Sequence, residues 1–260
     1  MKKVQIFILI LAILVLIGSS GYLGKYFIER HISAKNMEDV KNMILPEANV
    51  TPNPATESDP APETTSNGIL EKYSKLYETN PDFAGWISIP GTTIDYPVMY
   101  KAADNETYLH ANFNGEYDAA GTPFIDGYCT MNPPCDNLII YGHNMNDKSM
   151  FQPLLNYKDR EFYESHKTIQ FDTRYETGTY EVIAVNITRV LGKNESGFRY
   201  YQNTNFFNEE DFNTYMDNLF AGSLYERDPS ITYGDQFITL STCEYTYENG
   251  RLIVVAKKVK

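Results

Sequence analysis

Residues 239–259, TLSTCEYTYENGRLIVVAKKV, put a cysteine where one apolar, β-branched run ends and an arginine where the next begins. Two such runs joined by a short polar segment containing glycine read as a strand hairpin. The seven-residue connection EYTYENG folds the chain back, so Cys243 and Arg251 arrive at the same end of it. Alone, a cysteine at a strand end is ordinarily a small core residue, and an arginine at a strand start is ordinarily solvated. Together they have a chemistry. A guanidinium carries fixed donors and stays charged, so beside a thiol it stabilises thiolate or holds a carbonyl oxygen as negative charge develops there.

A nucleophilic thiol also needs a group that exchanges a proton near neutral pH, which is the property of imidazole. His143 ends the apolar run NLIIYGH, and Gly142 before it permits a sharp turn or a close backbone approach. The other histidines sit in less telling places. His31 is close to the N-terminal apolar segment, His166 closes an expected helix where a cation suits the dipole, and His110 in YLHANF reads as either core or rim.

Strand-like runs recur along the chain from residue 70: GWISI, TTIDYPVMY, TPFID, then NLIIYGH, TIQFDTRY, TYEVIAVNITRV, QFITLSTC and RLIVVAKKV. Short strands with turn signals between them imply a mainly β barrel or sandwich. Helices are expected at three places around it. The segment LEKYSKLYETNPD carries Leu70, Tyr73, Leu76 and Tyr77 on one helical face and stops at Asn80-Pro81; residues 149–166 form a second. In the third, 208–223, Phe212, Tyr215, Met216, Leu219 and Phe220 make one apolar stripe, with Asn208 as N-cap.

The N-terminus begins with two lysines and an apolar run from Val4 to Gly18 broken only by Gln5. With its milder tail this reaches about 20 residues, enough for a ~30 Å hydrocarbon core. No A-x-A-like cleavage site follows, which favours an uncleaved signal anchor over residues 1–24 rather than a removed signal peptide. A juxtamembrane helical segment (25–45) and a Pro-rich flexible stalk (46–69) then lead to a domain over 70–260. Polyproline extension at ~3.1 Å per residue lets the stalk reach on the order of 70 Å. The short N-terminal flank favours an N-in, C-out orientation, with the folded domain outside the cell membrane.

The 260 residues, 42% of them hydrophobic and 14% aromatic, are ample for a packed core. A net charge of −12 and the lack of a basic cluster exclude nucleic acid as the expected partner. Outside the membrane, Cys129 and Cys135 of CTMNPPC either pair or remain two free thiols in a turn. Their spacing, with four histidines in the chain, supports no metal site.

TLSTC followed eight positions later by Arg251, with YGH upstream, resembles the sortases, membrane-anchored cysteine transpeptidases of Gram-positive bacteria. The resemblance extends over 70–260. NPDFAGWISIPGTTIDYPVMY, the segment YLHANFNGEYDAAGTPFID and a helical insertion before TLSTC are most like class B. It implies a closed eight-stranded sortase-type β-barrel with peripheral helices, and no metal or organic cofactor. It further implies that Cys243, as thiolate, attacks the Thr carbonyl of a C-terminal sorting motif on an exported protein. His143 then exchanges protons with the leaving and incoming amines, and Arg251 orients the substrate and stabilises the oxyanion. The acceptor would be an amine of a peptidoglycan cross-bridge or its lipid-linked precursor. By the same matching, Asn105, Leu109, Ser241 and Glu244 are the expected substrate-binding residues.

Two other readings compete. A papain-like or cell-wall cysteine hydrolase normally has its cysteine before its histidine and at a helix start, the reverse of the order here. A non-catalytic anchored surface protein would be expected to carry its own sorting motif and apolar tail, whereas this sequence ends in VVAKKVK directly after a strand.

Overall fold

The computed structural model describes residues 2–46 and 62–260, and most of the expected stalk therefore lies outside the described residues. The chain divides into two units, Met1–Asp39 and Val40–Lys260. The first consists of most of helix α1 (Lys2–Lys41), whose apolar side chains from Val4 to Leu23 are exposed. It is long and apolar enough to cross a membrane.

The second unit is built on eight strands: β1 (Phe83–Ser88), β2 (Asp95–Met99), β3 (Phe124–Ile125), β4 (Asn137–Tyr141), β5 (Thr168–Thr173), β6 (Thr179–Arg189), β7 (Phe237–Cys243) and β8 (Gly250–Lys258). They close into a barrel in the order β1-β2-β3-β4-β7-β8-β6-β5. Closure leaves no free sheet edge. Pro97 is tolerated within β2 because β2 meets β3 only through Met99 and Phe124, so the missing N–H costs no ladder bond on that side.

Two of the expected helices are shorter and more broken than their sequence spacing implies. Leu70, Tyr73 and Leu76 are buried as expected, but on a 3-10 turn (Glu71–Tyr73) running into the short helix α2 (Ser74–Thr79). Residues 149–166 form a 3-10 segment (Gln152–Lys158) and then α3 (Arg160–Ser165). The break is at Asp159, which is extended and whose carboxylate accepts the Phe162 N–H, starting a new helix instead of continuing the old one. Ahead of these, Val40 is buried against Leu70, Tyr73 and Phe83, with Met43 and Ile44 packed beside it.

Helix α4 (Glu209–Ala221) follows its periodicity closely. Asn208 accepts the Asp211 N–H at 2.9 Å, and Phe212, Tyr215, Met216 and Leu219 are buried. Side chains alternate along a strand, and the observed register aligns Asn137, Ile139 and Tyr141 of β4 with Phe237, Thr239 and Ser241 of β7. It also places Ile253 and Val255 of β8 opposite Ser241 and Thr239. The α4 stripe packs on this shared face, against Ile139, Phe237, Ile253 and Val255. With its other face turned to the barrel interior, β7 is buried from Phe237 through Thr242, and its buried polar side chains are each satisfied, Thr239 by Asn137, Ser241 by Tyr200 and Thr242 by Gly142 O.

A polar seam fixes the helix to the sheet. Thr239 donates to Asn137 Oδ1 at 2.8 Å, and the Asn137 amide donates to the Tyr215 hydroxyl at 3.2 Å. Burial raises the Tyr215 phenol above its ordinary range, so it remains a neutral hydrogen-bonding group.

Leu219 is fully buried in this interface. Leu219→Ala is expected to cost ~2–4 kcal/mol and to lower the melting temperature by roughly 10 °C, measured by thermal unfolding followed by circular dichroism.

Candidate active site

β4 and β7 run parallel and in register, ending in the pair Tyr141 and Ser241. His143 lies two residues beyond the first of these and Cys243 two beyond the second, so both emerge at equal height on neighbouring strands. The pairing continues past β4: the Gly142 N–H donates to Ser241 O at 3.1 Å, and the Thr242 hydroxyl donates to Gly142 O at 2.8 Å. Asn144 then donates its side-chain amide to Cys243 O at 2.9 Å. On the other side of β7, Cys243 pairs directly with Arg251 of antiparallel β8. Register alone thus brings three residues, distant in sequence, onto adjacent strands.

All three line one groove of about 430 Å³. It opens on the same sheet face that α4 covers further along, and Tyr200, Tyr201 and Val190 from the β6–α4 connection form part of its wall. Cys243 and Arg251 are each partly exposed, so thiol and guanidinium are accessible to a ligand. Gly142 has a steric purpose: a Cβ there would lie 2.5 Å from the Phe151 ring, which is fully buried.

His143 is held on two sides. Its Nε2 is 2.8 Å from the Leu109 carbonyl. A carbonyl only accepts, so Nε2 carries the hydrogen and Nδ1 is left to exchange a proton. The His110 ring stacks on His143 at 5.6 Å between centroids with 24° between planes. His110 itself is exposed, which places it at the rim rather than in the core.

Of the other expected site residues, Asn105, Leu109 and Ser241 line the groove and Glu244 does not. Asn105 is tied into the protein, with Oδ1 accepting the Gly127 N–H at 2.6 Å and its amide donating to Asp126 Oδ1 at 3.3 Å. Ser241 shares a 2.8 Å hydrogen bond with Tyr200, whose phenol burial pushes up to about 12. Glu244 is buried and engaged elsewhere: Lys158 and the Thr246 hydroxyl both donate to its Oε1 at 2.8 Å, and the Thr246 N–H donates to Oε2 at 2.7 Å.

A family model, the sortase domain, matches residues 87–259. Sortase B of Listeria monocytogenes is 37% identical over 203 residues, covering 76% of this chain and 79% of that protein. Sortase B of Staphylococcus aureus is 33% identical over 194 residues, covering 74% and 76% respectively. The chain belongs to the sortase family, in class B. Among solved structures, that of sortase B from Bacillus anthracis in complex with AAEK1 superposes with a TM-score of 0.72 at 32% identity, over 90% of this chain and 99% of that one. The closed eight-stranded barrel and its peripheral helices are thus those of a sortase B, and the family is one of cysteine transpeptidases.

Sequence reasoning missed several groups around this sortase's groove. Asn144 directly follows the YGH motif, and its small polar side chain at a strand exit was a usable signal. Tyr141 begins the YGH motif, and nothing in the sequence signals that its hydroxyl donates to the buried carboxylate of Asp126 at 2.7 Å, a carboxylate that also receives Asn105. Tyr200 had no signal at all, because its importance comes from the fold of the β6–α4 connection over β7.

Burial works to raise the Glu244 carboxyl, but Lys158 and Thr246 outweigh it and hold the group below its ordinary value of 4.5. A depressed folded value means that stability from this pair is present above about pH 4.5 and lost as pH falls through the lower folded value. Lys158→Met should cost ~1–2 kcal/mol at pH 7, discounted for the partial exposure of the lysine. Melting temperatures of the two proteins, several degrees apart at neutral pH, should converge as pH is lowered below 4.5 and through the folded value.

Proposed function

We propose that this sortase cleaves the C-terminal sorting motif of exported proteins after threonine and transfers the new carboxyl end to an amine of the peptidoglycan cross-bridge or its lipid-linked precursor. The observation that carries the reading is the convergence of Cys243, His143 and Arg251 on adjacent strands at one end of a single groove.

In the first half-reaction the Cys243 thiolate attacks the threonine carbonyl carbon. The oxygen gains negative charge, and the guanidinium of Arg251 donates hydrogen bonds to it. Collapse breaks the C–N bond, and the amine leaves with a proton from Nδ1 of protonated His143, producing a thioester. In the second half-reaction His143 takes the proton from the acceptor amine as that amine attacks the thioester. The C–S bond breaks and the thiolate is restored. The Leu109 carbonyl keeps the imidazole oriented through Nε2 while Nδ1 changes protonation.

On this reading the peptide lies along Asn105, Leu109 and Ser241. Asn105 and Ser241 are held by Gly127, Asp126 and Tyr200, so they meet the peptide as a fixed surface. Glu244 serves the site indirectly, by fixing the start of the β7–β8 connection between Cys243 and Arg251. Helix α1 is the single-pass anchor that keeps the enzyme at the cell membrane, with its N-terminus inside and the barrel outside.

The full-length enzyme, solubilised in detergent and given a library of sorting-type peptides, should select one motif and accumulate a thioester detectable by intact mass. Cys243→Ala should abolish both cleavage and thioester; retained cleavage would overturn the assignment of the nucleophile. His143→Ala should lower kcat by about 10²–10⁴-fold. Arg251→Lys should lower it by about 10²–10³-fold, because an ammonium cannot reproduce the guanidinium fork.

A further inference from the structure

Cys129 and Cys135 belong to the β3–β4 connection and take no part in the groove. Surface connections rarely bury two thiols, yet both are only 2% exposed. Their surroundings differ. Cys135 closes a tight turn, its N–H donating to Thr130 O at 3.1 Å while its sulfur accepts the Thr130 N–H at 2.9 Å. The Thr130 hydroxyl lies 3.7 Å from the same sulfur. The Cys129 sulfur is placed to donate to the Asn137 carbonyl at 3.9 Å, and the Cys135 sulfur lies 3.5 Å from Thr130 O.

The Cys135 sulfur thus sits 2.9 Å from the amide nitrogen that directly follows Cys129, which brings the two cysteines together inside one turn in unequal surroundings. The interaction between the two thiols, with Thr130, holds Cys135 below the ordinary thiol range, and the same interaction, with burial, holds Cys129 above it. Two cysteines in one turn, one of them the more acidic, are what thiol–disulfide exchange uses.

We propose that Cys129 and Cys135 are a disulfide-forming pair, closed by exchange with a low-molecular-weight disulfide such as oxidised glutathione. Because both sulfurs are buried, the step needs local opening of this surface loop; Cys135, as thiolate, then attacks one sulfur of the oxidant, whose S–S bond breaks to release a glutathione thiolate. The sulfur of Cys129 then attacks Cys135 in the mixed disulfide, and the second glutathione leaves with the Cys129 proton. The two cysteines are oxidised by two electrons, and the oxidant is reduced to two thiols. The extracellular placement proposed above would keep the loop where such oxidants persist.

The cross-link bears on the groove through a short chain of contacts. The Cys129 N–H donates to Asp126 O at 2.9 Å, and the Tyr100 hydroxyl donates to Cys129 O at 2.7 Å. Asp126 in turn holds Asn105 and Tyr141, both lining residues. A bond between residues 129 and 135 thus braces the loop behind one groove wall while leaving Cys243 free.

The test uses the full chain in detergent, equilibrated with either excess oxidised glutathione or dithiothreitol, then denatured, alkylated and mapped by mass spectrometry. Oxidised protein should have unalkylated, mass-shifted Cys129 and Cys135 within one peptide, with no glutathione attached to either. Its melting temperature should exceed that of reduced protein by roughly 5–9 °C, as expected for closing a seven-residue loop. Cys129→Ser should instead trap glutathione on Cys135. Full alkylation of both cysteines after oxidation, or a glutathione adduct persisting on wild-type Cys135, would overturn the proposal. Since Cys243 is read separately in the same map, and peptide cleavage is assayed on reduced protein, neither result depends on the proposed transpeptidation.

Discussion

The in-register parallel pairing of β4 with β7 is the constraint on which the rest depends. Parallel neighbours advance together, so an imidazole two residues past Tyr141 and a sulfur two residues past Ser241 leave the sheet side by side. Antiparallel β8 adds Arg251 opposite Cys243. A slip of one residue in either pairing would turn one partner to the opposite face of the sheet. Ladder hydrogen bonds, the Thr242–Gly142 and Asn144–Cys243 contacts, and the space left by Gly142 beside Phe151 all hold that register at the strand ends, where pairing would otherwise fray.

One sheet face does two jobs along its length. Under α4 it is a dry core of Ile139, Phe237, Ile253 and Val255, sealed by a buried amide–hydroxyl seam. Beyond Tyr200 the same face opens into the groove. The helix thereby gives rigidity to the strands that present the reactive groups, and side chains on well-packed strands hold position better than side chains on loops. Tyr200 stands at the transition, buried like a core residue and hydrogen-bonded to Ser241 on the groove floor.

Charge is handled differently on either side of Cys243. Glu244, the next residue, is the nearest carboxylate in sequence, and an open negative charge there would oppose thiolate formation. Its carboxylate is turned away into Lys158 and Thr246, while Arg251, the positive partner, faces the groove. The local field around the sulfur is set by which neighbour is folded away as much as by which is presented.

Local pattern carried a large share of this protein in the sequence: the eight strands, the α4 stripe with its Asn208 cap, the Cys243–Arg251 hairpin and the YGH exit are all written in residues close to one another. Periodicity, caps and short connections report short-range physics, and short-range physics survives without knowledge of the fold. Tertiary structure decided the rest. It broke 149–166 at Asp159, folded the Glu244 carboxylate away from the groove, stacked His110 on His143 and laid Tyr200 over Ser241. Each of these joins segments through contacts whose geometry exists only once the barrel has closed, and no spacing along the chain encodes a side chain's choice among partners that folding brings near.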